Sequence, residues 1–222
     1  KAYESRDPRL QMAVITPYAQ YNGASSGIAH TYTLRWPYRG SDSAEPFDIR
    51  TDTNDKFYYL WRKFVPEGLE QTERDTYGLD IPLIRYAEVL LLKAEALNEW
   101  GSTHESEAIR CVNEVRRRAG HVELNNATYP ATKVNGQSDL RERIRNEYYW
   151  EIGGEDSMYF HELRWGTWKD KKFDNNRNGL MQMWGETTYT WYWLGDQCWS
   201  WPIPAKEMEM NSNLEQNEGW IN

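Results

Sequence analysis

The segment Tyr32-Thr33-Leu34-Arg35-Trp36-Pro37-Tyr38 holds side chains that could bind a ligand without reacting with it. Tryptophan and tyrosine rings stack on the C–H faces of sugars, and arginine donates hydrogen bonds to hydroxyl groups. Strand alternation would place Trp36 on the same face as Tyr32, with Arg35 on the other. The pattern predicts a glycan-binding site made of Tyr32, Arg35, Trp36 and Tyr38. Three aromatic residues are secondary candidates, of which the first is included in the predicted site: Trp61, Tyr18 and Tyr21. A hairpin that buries Trp36 in the core would give the same pattern.

The sequence Gly23-Ala24-Ser25-Ser26-Gly27 fits the G-x-S-x-G pattern of serine hydrolases. In those enzymes the serine lies on a sharp turn between a strand and a helix. Here Pro17 and Asn22 precede the pattern and an extended run follows it, so that turn is not expected. We therefore predict a flexible loop rather than a catalytic serine.

The segment Asp174-Asn175-Asn176-Arg177-Asn178-Gly179 opens like a calcium-binding loop. Such a loop needs a bidentate glutamate at its twelfth position. This chain has Gly185 there, and Glu186 comes one residue late. A charged turn is the preferred interpretation, with calcium as the alternative. The pair His161-Glu162 lacks the second histidine of a zinc helix, so neither a metal nor a cofactor is predicted.

The composition fits a water-exposed globule that binds polar ligands. A net charge of −8 disfavours nucleic acid, whose binders carry basic surfaces. The 12 tryptophans and 15 tyrosines outnumber the 5 phenylalanines, and these two residue types suit rings that are partly buried and partly in polar contact. The 34 acidic residues concentrate on predicted helix surfaces, which favours a solvated face over a glycosidase pair. Cys111 on a helix and Cys198 in an aromatic strand are predicted to be small buried groups rather than partners.

Residues 1–80 form a predicted loop-rich region that carries the ligand side of the molecule. The region is rich in Gly, Ser, Asp, Asn and Pro and shows little helical periodicity. Surface loops of this kind often carry binding residues. Short strand-like runs interrupt it: Met12 to Ile15, Tyr32 to Trp36 and Phe57 to Phe64.

Residues 81–222 are predicted to be mainly helical, beginning with a helix pair. Asp80 should cap the first helix and Gly101 should end it. Ser102 should open a capping box for the second helix, which Gly120 ends. Apolar rows should be buried on both helices: Ile84, Ala87, Leu91 and Ala94, with Val89, Leu90 and Leu97 beside them, then Ala108, Val112, Val115 and Ala119.

The remaining elements should anchor the C-terminal part of the chain. Ser138 should cap a third helix that breaks at Gly153-Gly154, and Met158 to Trp165 should form a fourth. Residues 184–201 are predicted to form an aromatic β-hairpin, structural or facing a partner, that turns at Gly195-Asp196. The tail should then be tied down by a proline-led extended entry, a short helix and a large apolar anchor: Pro202 and Pro204, Ala205 to Met210, and Trp220.

Four segments resemble, in order, signature elements of the SusD/RagB family. They are Asp7-Pro8-Arg9-Leu10, the helix from Ile84 to Glu99, the N-x-V-R-x-R-A-G segment from Asn113 to Gly120, and the tail from Trp201 to Trp220. A fifth segment keeps part of the family pattern: Glu147, Glu151, Glu155, Arg164 and Trp165. It departs where Tyr148-Tyr149 replaces an arginine pair and where Asp156 and Met158 replace a glycine and an arginine.

The resemblance implies a mainly α-helical, SusD-like fold, with a tetratricopeptide-type helix pair and an irregular region of short β-hairpins. It implies a nutrient-binding lipoprotein on the outer face of the outer membrane. Such a protein captures an oligosaccharide non-covalently and hands it to a SusC-like, TonB-dependent transporter. It also implies that this chain, which begins at Lys1, is the C-terminal part of a longer protein with a lipid anchor upstream. Two alternatives stay open: a peptide-binding relative like RagB, and a helical-repeat scaffold without a small ligand.

Overall fold

A computed structural model describes residues 6–16, 19–25, 28–34, 48–49, 60–65, 67, 80–155, 157–172, 193 and 195–220. The chain divides into two compact units, Lys1–Met158 and Tyr159–Asn222. Helices dominate the described residues, and the strands are short, as the mainly α-helical prediction requires. The described helices include none that is both long and apolar enough to cross a membrane.

The first part of the chain forms short strands after one turn of helix. Its elements are α1 Arg9–Ala13, β1 Val14–Ile15, β2 Gln20–Ser25, β3 Ile28–Leu34, β4 Asp48–Ile49 and β5 Leu60–Trp61. Strand β1 pairs antiparallel with β5, and Val14 lies opposite Trp61. Strand β3 lies between β2, with which it is antiparallel, and β4, with which it is parallel.

The β2–β3 hairpin includes residues that the sequence assigned to a flexible loop. Ser25 lies opposite Ile28, and Gly23 lies opposite His30. The prediction of a loop is therefore wrong for residues 23–25, because their backbone groups belong to a ladder. A strand, and not a helix, follows the G-x-S-x-G pattern. The sharp strand-to-helix turn that exposes a hydrolase serine is thus not formed here.

Three helices build the core of the first unit: α2 Tyr86–Trp100, α3 Glu105–Arg118 and α4 Gln137–Ile152. A single 3₁₀ turn, Ser102–His104, joins α2 to α3. Helices α2 and α3 bring small or branched residues to their mutual contact, and α4 completes the core with larger ones. The buried side chains are Leu90, Leu91, Ala94 and Leu97, then Ala108, Val112 and Val115, then Leu140, Ile144, Tyr148 and Ile152.

Two members of the predicted apolar row on α2 are exposed. Ile84 precedes the helix and is 72% exposed, and Val89 is 47% exposed. Both predictions are wrong because the buried stripe of α2 is centred on Leu91 and Ala94, and Val89 falls outside it. The exposed side of α2 also carries Tyr86 and Trp100, which are 69% and 75% exposed.

The helix ends follow the predicted glycines, but the starts differ from prediction. Gly101 caps α2, and Gly120, two residues beyond α3, has φ 71°. Helix α2 begins at Tyr86 and not after Asp80, since Arg85 keeps extended backbone. Pro82 contributes, because the residue before a proline avoids helical backbone.

The other two predicted caps are also displaced. No side chain caps α3, because Ser102 lies inside the 3₁₀ turn and the helix begins at Glu105. Helix α4 begins at Gln137, one residue before the predicted cap Ser138. The chain enters α4 through Gly136 at φ 85°, a left-handed conformation that glycine adopts without strain.

Short helices follow α4, and hydrogen bonds fasten the tail. The helices are α5 Ser157–Arg164, α6 Trp168–Lys172, a 3₁₀ turn Asp196–Trp199 and α7 Ala205–Met210. The 3₁₀ turn contradicts the return strand of the aromatic hairpin predicted over residues 184–201. Gly195 leads into that turn, and Cys198 is half-buried within it rather than in a strand. Residues 184–192 lie outside the described part of the chain.

The amide of Gln216 is the centre of the tail fastening. Its Nε2 donates to the Ile203 carbonyl oxygen at 3.0 Å, and its Oε1 accepts from the Ile203 amide at 2.7 Å. The Trp220 indole donates to the carbonyl oxygens of Ser200 at 2.9 Å and Gln197 at 3.2 Å. The predicted short helix and tryptophan anchor are confirmed.

Candidate functional site

The β2–β3 hairpin places Tyr32 directly opposite Tyr21. Their ring centroids lie 6.3 Å apart with a 40° angle between the planes. His30 approaches Tyr32 edge-on at 6.0 Å. Both tyrosines are half-buried, so each ring has a packed side and an accessible side. Of the other predicted binding residues, Arg35, Trp36, Tyr38 and Tyr18 lie outside the described residues.

Trp61 presents an exposed indole on β5. Its side chain is 55% exposed. Gly154, in the turn after α4, lies against this ring: a Cβ atom built on Gly154 would fall 2.7 Å from Cζ3 of Trp61. Gly154 also has φ 83°, so its lack of a side chain serves both the turn and the contact. One part of the indole is thereby fixed against backbone while the rest remains accessible.

Arg62 connects the strand of Trp61 to the hairpin of Tyr21 and Tyr32. Its Nη1 donates to the Gln11 carbonyl oxygen at 2.7 Å, and its Nη2 donates to the carbonyl oxygen of Gln20, the first residue of β2. Its Nε lies 2.9 Å from a carboxylate oxygen of Glu67. These contacts join the strand that carries Trp61 to the first residue of the hairpin that carries Tyr21 and Tyr32.

A buried ion-pair network lies beneath α1, and sequence reasoning did not predict it. Arg9 is only 8% exposed. Its guanidinium contacts Asp7 at 2.6 Å, Glu147 at 2.7 Å and Glu151 at 3.0 Å. Arg116 reaches Glu147 from the opposite side at 2.7 Å. Each buried charge therefore has a partner, which the low polarity of an interior requires.

The network continues toward the surface through Arg85, Lys63 and Arg118. Arg85 contacts Glu151 at 2.9 Å and Glu155 at 2.7 Å. Lys63 pairs with Glu155 at 2.7 Å and also donates to the carbonyl oxygens of Glu151 and Gly153. Arg118 pairs with Glu151. Side chains from α1, α3, α4 and the residues before α2 thus meet at one point.

The cations lower the pKa of two carboxyl groups in this network, Glu151 and Asp7. Burial raises the pKa of Glu151, but hydrogen bonds from Arg85 and Arg9, with the charge of Arg118, outweigh burial and lower it. Burial likewise opposes ionisation of Asp7, yet hydrogen bonds and charge from Arg9 lower its pKa. The pKa of Arg9 is raised, because Asp7 and Glu147 outweigh its own burial. All three groups are therefore charged at neutral pH.

A cleft of about 400 Å³ opens beside the network. Its apolar wall is formed by Met12, Phe64 and Trp150, which are 71%, 38% and 41% exposed. Phe64 holds φ 58°, a left-handed conformation that is rare for a residue with a bulky side chain. The polar wall comes from the paired groups of Lys63, Arg118 and their carboxylates. Because those cations are already paired, the cleft suits a neutral ligand better than an anion.

The candidate metal ligands and the cysteines among the described residues provide no evidence for a metal site or a disulfide bond. Among those residues, no group of three or more His, Cys, Asp or Glu side chains is placed to hold a metal ion. The segment Asp174–Gly179 lies outside them. Cys111 is buried on α3, as predicted, and burial raises the pKa of its thiol.

Comparison with known proteins assigns the family. The family model described as the SusD family matches residues 1–220. The chain belongs to the SusD family. Three of the four signature segments meet the fifth, partly kept segment through ion pairs to Glu147 and Glu151. The fourth, the tail, is fastened separately through Gln216.

Characterised relatives and solved structures agree with this assignment. The chain is 32% identical over 139 residues to the SusD-like protein P38 of Formosa agariphila and 28% identical over 161 residues to the starch-binding protein SusD of Bacteroides thetaiotaomicron. A SusD-like protein from Bacteroides fragilis matches 98% of the chain with a TM-score of 0.64 and 22% identity. A SusD homolog from Bacteroides thetaiotaomicron matches 96% with a TM-score of 0.60 and 23% identity.

The matched region is a minor part of those relatives. The two alignments cover 62% and 72% of this chain but only 24% and 25% of the relatives. The two solved structures are covered to 40% and 41%. The structural matches establish the SusD-like fold of the chain.

Proposed function

We propose that the chain contributes to non-covalent capture of a glycan at the bacterial cell surface. The observation that carries the proposal is Trp61, a 55% exposed indole whose one edge is fixed against Gly154. A fixed, accessible ring loses little freedom when a ligand stacks on it. Membership of a family that includes a starch-binding protein supports a sugar as that ligand.

The binding step requires no bond to be made or broken. The sugar's C–H face would stack on Trp61 and on the accessible side of Tyr32, and its hydroxyl groups would pair with polar side chains at the rim. Arg35, Trp36 and Tyr38 follow β3 in sequence and complete the proposed site. The cleft beside Trp150 is an additional surface for a neutral sugar, because its cations are paired with Glu151 and Glu155.

The family supplies the cellular setting of the proposal. Its members are binding proteins of the cell surface, and we propose the same role here: a lipid-anchored protein on the outer face of the outer membrane. The partner would be a SusC-like, TonB-dependent transporter that receives the captured oligosaccharide. The remaining length of the relatives would supply the anchor and the rest of the ligand site.

Calorimetric titration with maltoheptaose, xylohexaose and laminarihexaose tests the proposal. We expect at least one of these sugars to bind, and Trp61→Ala or Trp36→Ala to weaken that binding about five- to tenfold, the value of one aromatic contact. Trp100→Ala is the matched control, since this tryptophan is 75% exposed on α2 and stacks on His104. Equal affinities for all variants would reject the site.

Two other functions predict different results in the same assay. A peptide-binding relative would bind a mixed hexapeptide library instead of the sugars, because peptides are held largely through their backbone. A scaffold without a small ligand would bind neither. Hydrolysis of p-nitrophenyl acetate, abolished in Ser25→Ala, would indicate an esterase, which we do not expect because a strand follows Ser25 in the β2–β3 hairpin.

A further inference from the structure

An exposed aromatic cluster lies in the unit Tyr159–Asn222, on residues outside the predicted binding site. Trp201 is 72% exposed and Phe160 is 65% exposed. Tyr159 and Trp168 are half-buried beside them. We name these four residues, Tyr159, Phe160, Trp168 and Trp201, the Trp201 shelf.

Contacts within the shelf hold its most exposed ring in place. The indole Nε1 of Trp201 donates to the hydroxyl of Tyr159 at 2.9 Å. The ring of Tyr159 is itself fixed by edge-on contacts with Phe160 at 5.3 Å and Trp168 at 4.8 Å. Pro202 restricts the backbone that follows Trp201. The broad face of this indole is therefore presented to solvent in a fixed position. Because the ring is already fixed, little side-chain freedom is lost when a ligand stacks on it.

Two polar side chains that contact Trp201, one at its ring and one at its backbone, have unused hydrogen-bonding capacity. The Tyr159 hydroxyl accepts the indole proton and makes no other hydrogen bond to the described residues, so its own proton is available to a ligand. The exposed side chain of Asn217 donates through Nδ2 to the Trp201 carbonyl oxygen at 2.6 Å, and its Oδ1 remains able to accept. A stacking face with a donor at its edge, and an acceptor beside the backbone that carries it, suits a sugar ring, which has C–H faces and peripheral hydroxyls.

We propose that the Trp201 shelf is a carbohydrate subsite in which a sugar ring stacks on Trp201 and hydrogen-bonds to Tyr159 and Asn217. The proposal rests on the proposed function of glycan capture and adds a subsite on residues outside the predicted site. The hydrogen-bonding groups of Tyr159 and Asn217 beside the exposed indole suit the hydroxyl groups of a sugar, and a protein partner is an outcome of the test below.

Affinity electrophoresis of the chain tests the subsite, in gels that contain soluble starch, xylan, laminarin or pectic galactan. Trp201→Ala should weaken retardation by the bound glycan about fivefold or more, through loss of the stacking face. Tyr159→Phe should weaken it about two- to fivefold, because it keeps the ring and loses one hydrogen bond. Trp100→Ala, with an equally exposed indole, should match the unaltered chain.

The outcomes separate this proposal from the proposed function. If a glycan retards the unaltered chain and Trp201→Ala behaves like Trp100→Ala, the shelf is not a subsite although glycan capture stands. If no glycan retards the unaltered chain, both proposals fail. Tyr159→Phe provides a test that does not depend on Trp201→Ala folding correctly. If Tyr159→Phe has an unchanged melting temperature and an unchanged affinity for the glycan, the hydrogen bond proposed for the Tyr159 hydroxyl is rejected. Loss of transporter binding with unchanged glycan retardation in Trp201→Ala would identify a protein contact and reject the subsite.

Discussion

At the scale of single residues, Arg9 joins parts of the chain that are far apart in sequence. It is bonded to Asp7, two residues away, and to Glu151, 142 residues away. Glu147 also receives Arg116, and Glu151 also receives Arg85 and Arg118. The segments of this chain that resemble the family signatures therefore share one network of ion pairs.

Removal of Arg9 should destabilise the first unit strongly. Arg9→Met should lower the free energy of unfolding by about 3–5 kcal/mol, because it leaves Glu147 and Glu151 short of a buried partner. Urea denaturation monitored by circular dichroism measures the change. Arg110→Met is the control: its side chain is 65% exposed and pairs with Glu107 at 3.4 Å, so a loss below about 1 kcal/mol is expected. Similar losses in both variants would contradict the structural importance of the network.

Substitution of Gly154 tests the fixed position of Trp61. Gly154→Ala should cost about 1–2 kcal/mol from the left-handed backbone alone, and its Cβ would collide with the Trp61 ring. The ring must then move, so tryptophan fluorescence and sugar affinity should change together. Gly120→Ala has a similar positive φ, of 71°, but nothing within 4 Å of its Cβ. If Gly120→Ala loses as much stability as Gly154→Ala but keeps its sugar affinity, the affinity change in Gly154→Ala is due to the collision with Trp61.

At the scale of elements, helix ends could be predicted from the sequence and helix starts could not. Glycines end helices through their own backbone freedom, a local property, and Gly101 and Gly120 lie where expected. The start of α2 depends on Arg85, whose extended backbone accompanies bonds to Glu151 and Glu155. Those partners are 66 and 70 residues away, so no local pattern reveals them.

The Gln216 fastening of the tail gives a prediction at this scale. Gln216→Ala removes two hydrogen bonds to Ile203, each contributing about 1 kcal/mol. Amide hydrogen exchange at Ile203 should therefore quicken at least about tenfold, since 1.4 kcal/mol corresponds to that factor. The control is the neighbouring exposed residue Glu215: Glu215→Ala should leave the exchange rate of the Ile203 amide unchanged. Slow exchange in Gln216→Ala would mean that the fastening depends on other contacts.

At the scale of the whole molecule, the network should make stability fall in acid. The pKa values of Asp7 and Glu151 are lowered in the folded chain, so the unfolded chain binds more protons as the pH falls. The stabilisation is full above the unfolded carboxyl pKa of about 4, and it is lost as the pH falls through the lower folded values. Urea unfolding between pH 7 and pH 3 should show this decline, with a flatter profile for Glu151→Gln. Equal slopes for the two proteins would exclude Glu151 as a contributor.

The site predicted from the sequence omits Trp201, and the reason also lies at the level of the whole molecule. Aromatic composition drew attention to Trp61 but could not rank Trp201, because exposure depends on packing between distant segments. Trp201 was assigned to a hairpin strand, whereas the residues before it form a 3₁₀ turn and its indole bonds to Tyr159, 42 residues earlier. An excess of tryptophan over phenylalanine predicts that rings meet polar groups, but it does not indicate which rings do so.

The separation of Arg9 from its carboxylates has a consequence for biosynthesis. Ribosomes add about 5–20 residues per second, so Glu151, 142 residues downstream, follows Arg9 by roughly 7–28 s. During that interval the guanidinium can be hydrated but cannot be buried at acceptable cost. Helix α1, which carries Arg9, can therefore reach its buried position only after α4 has been translated.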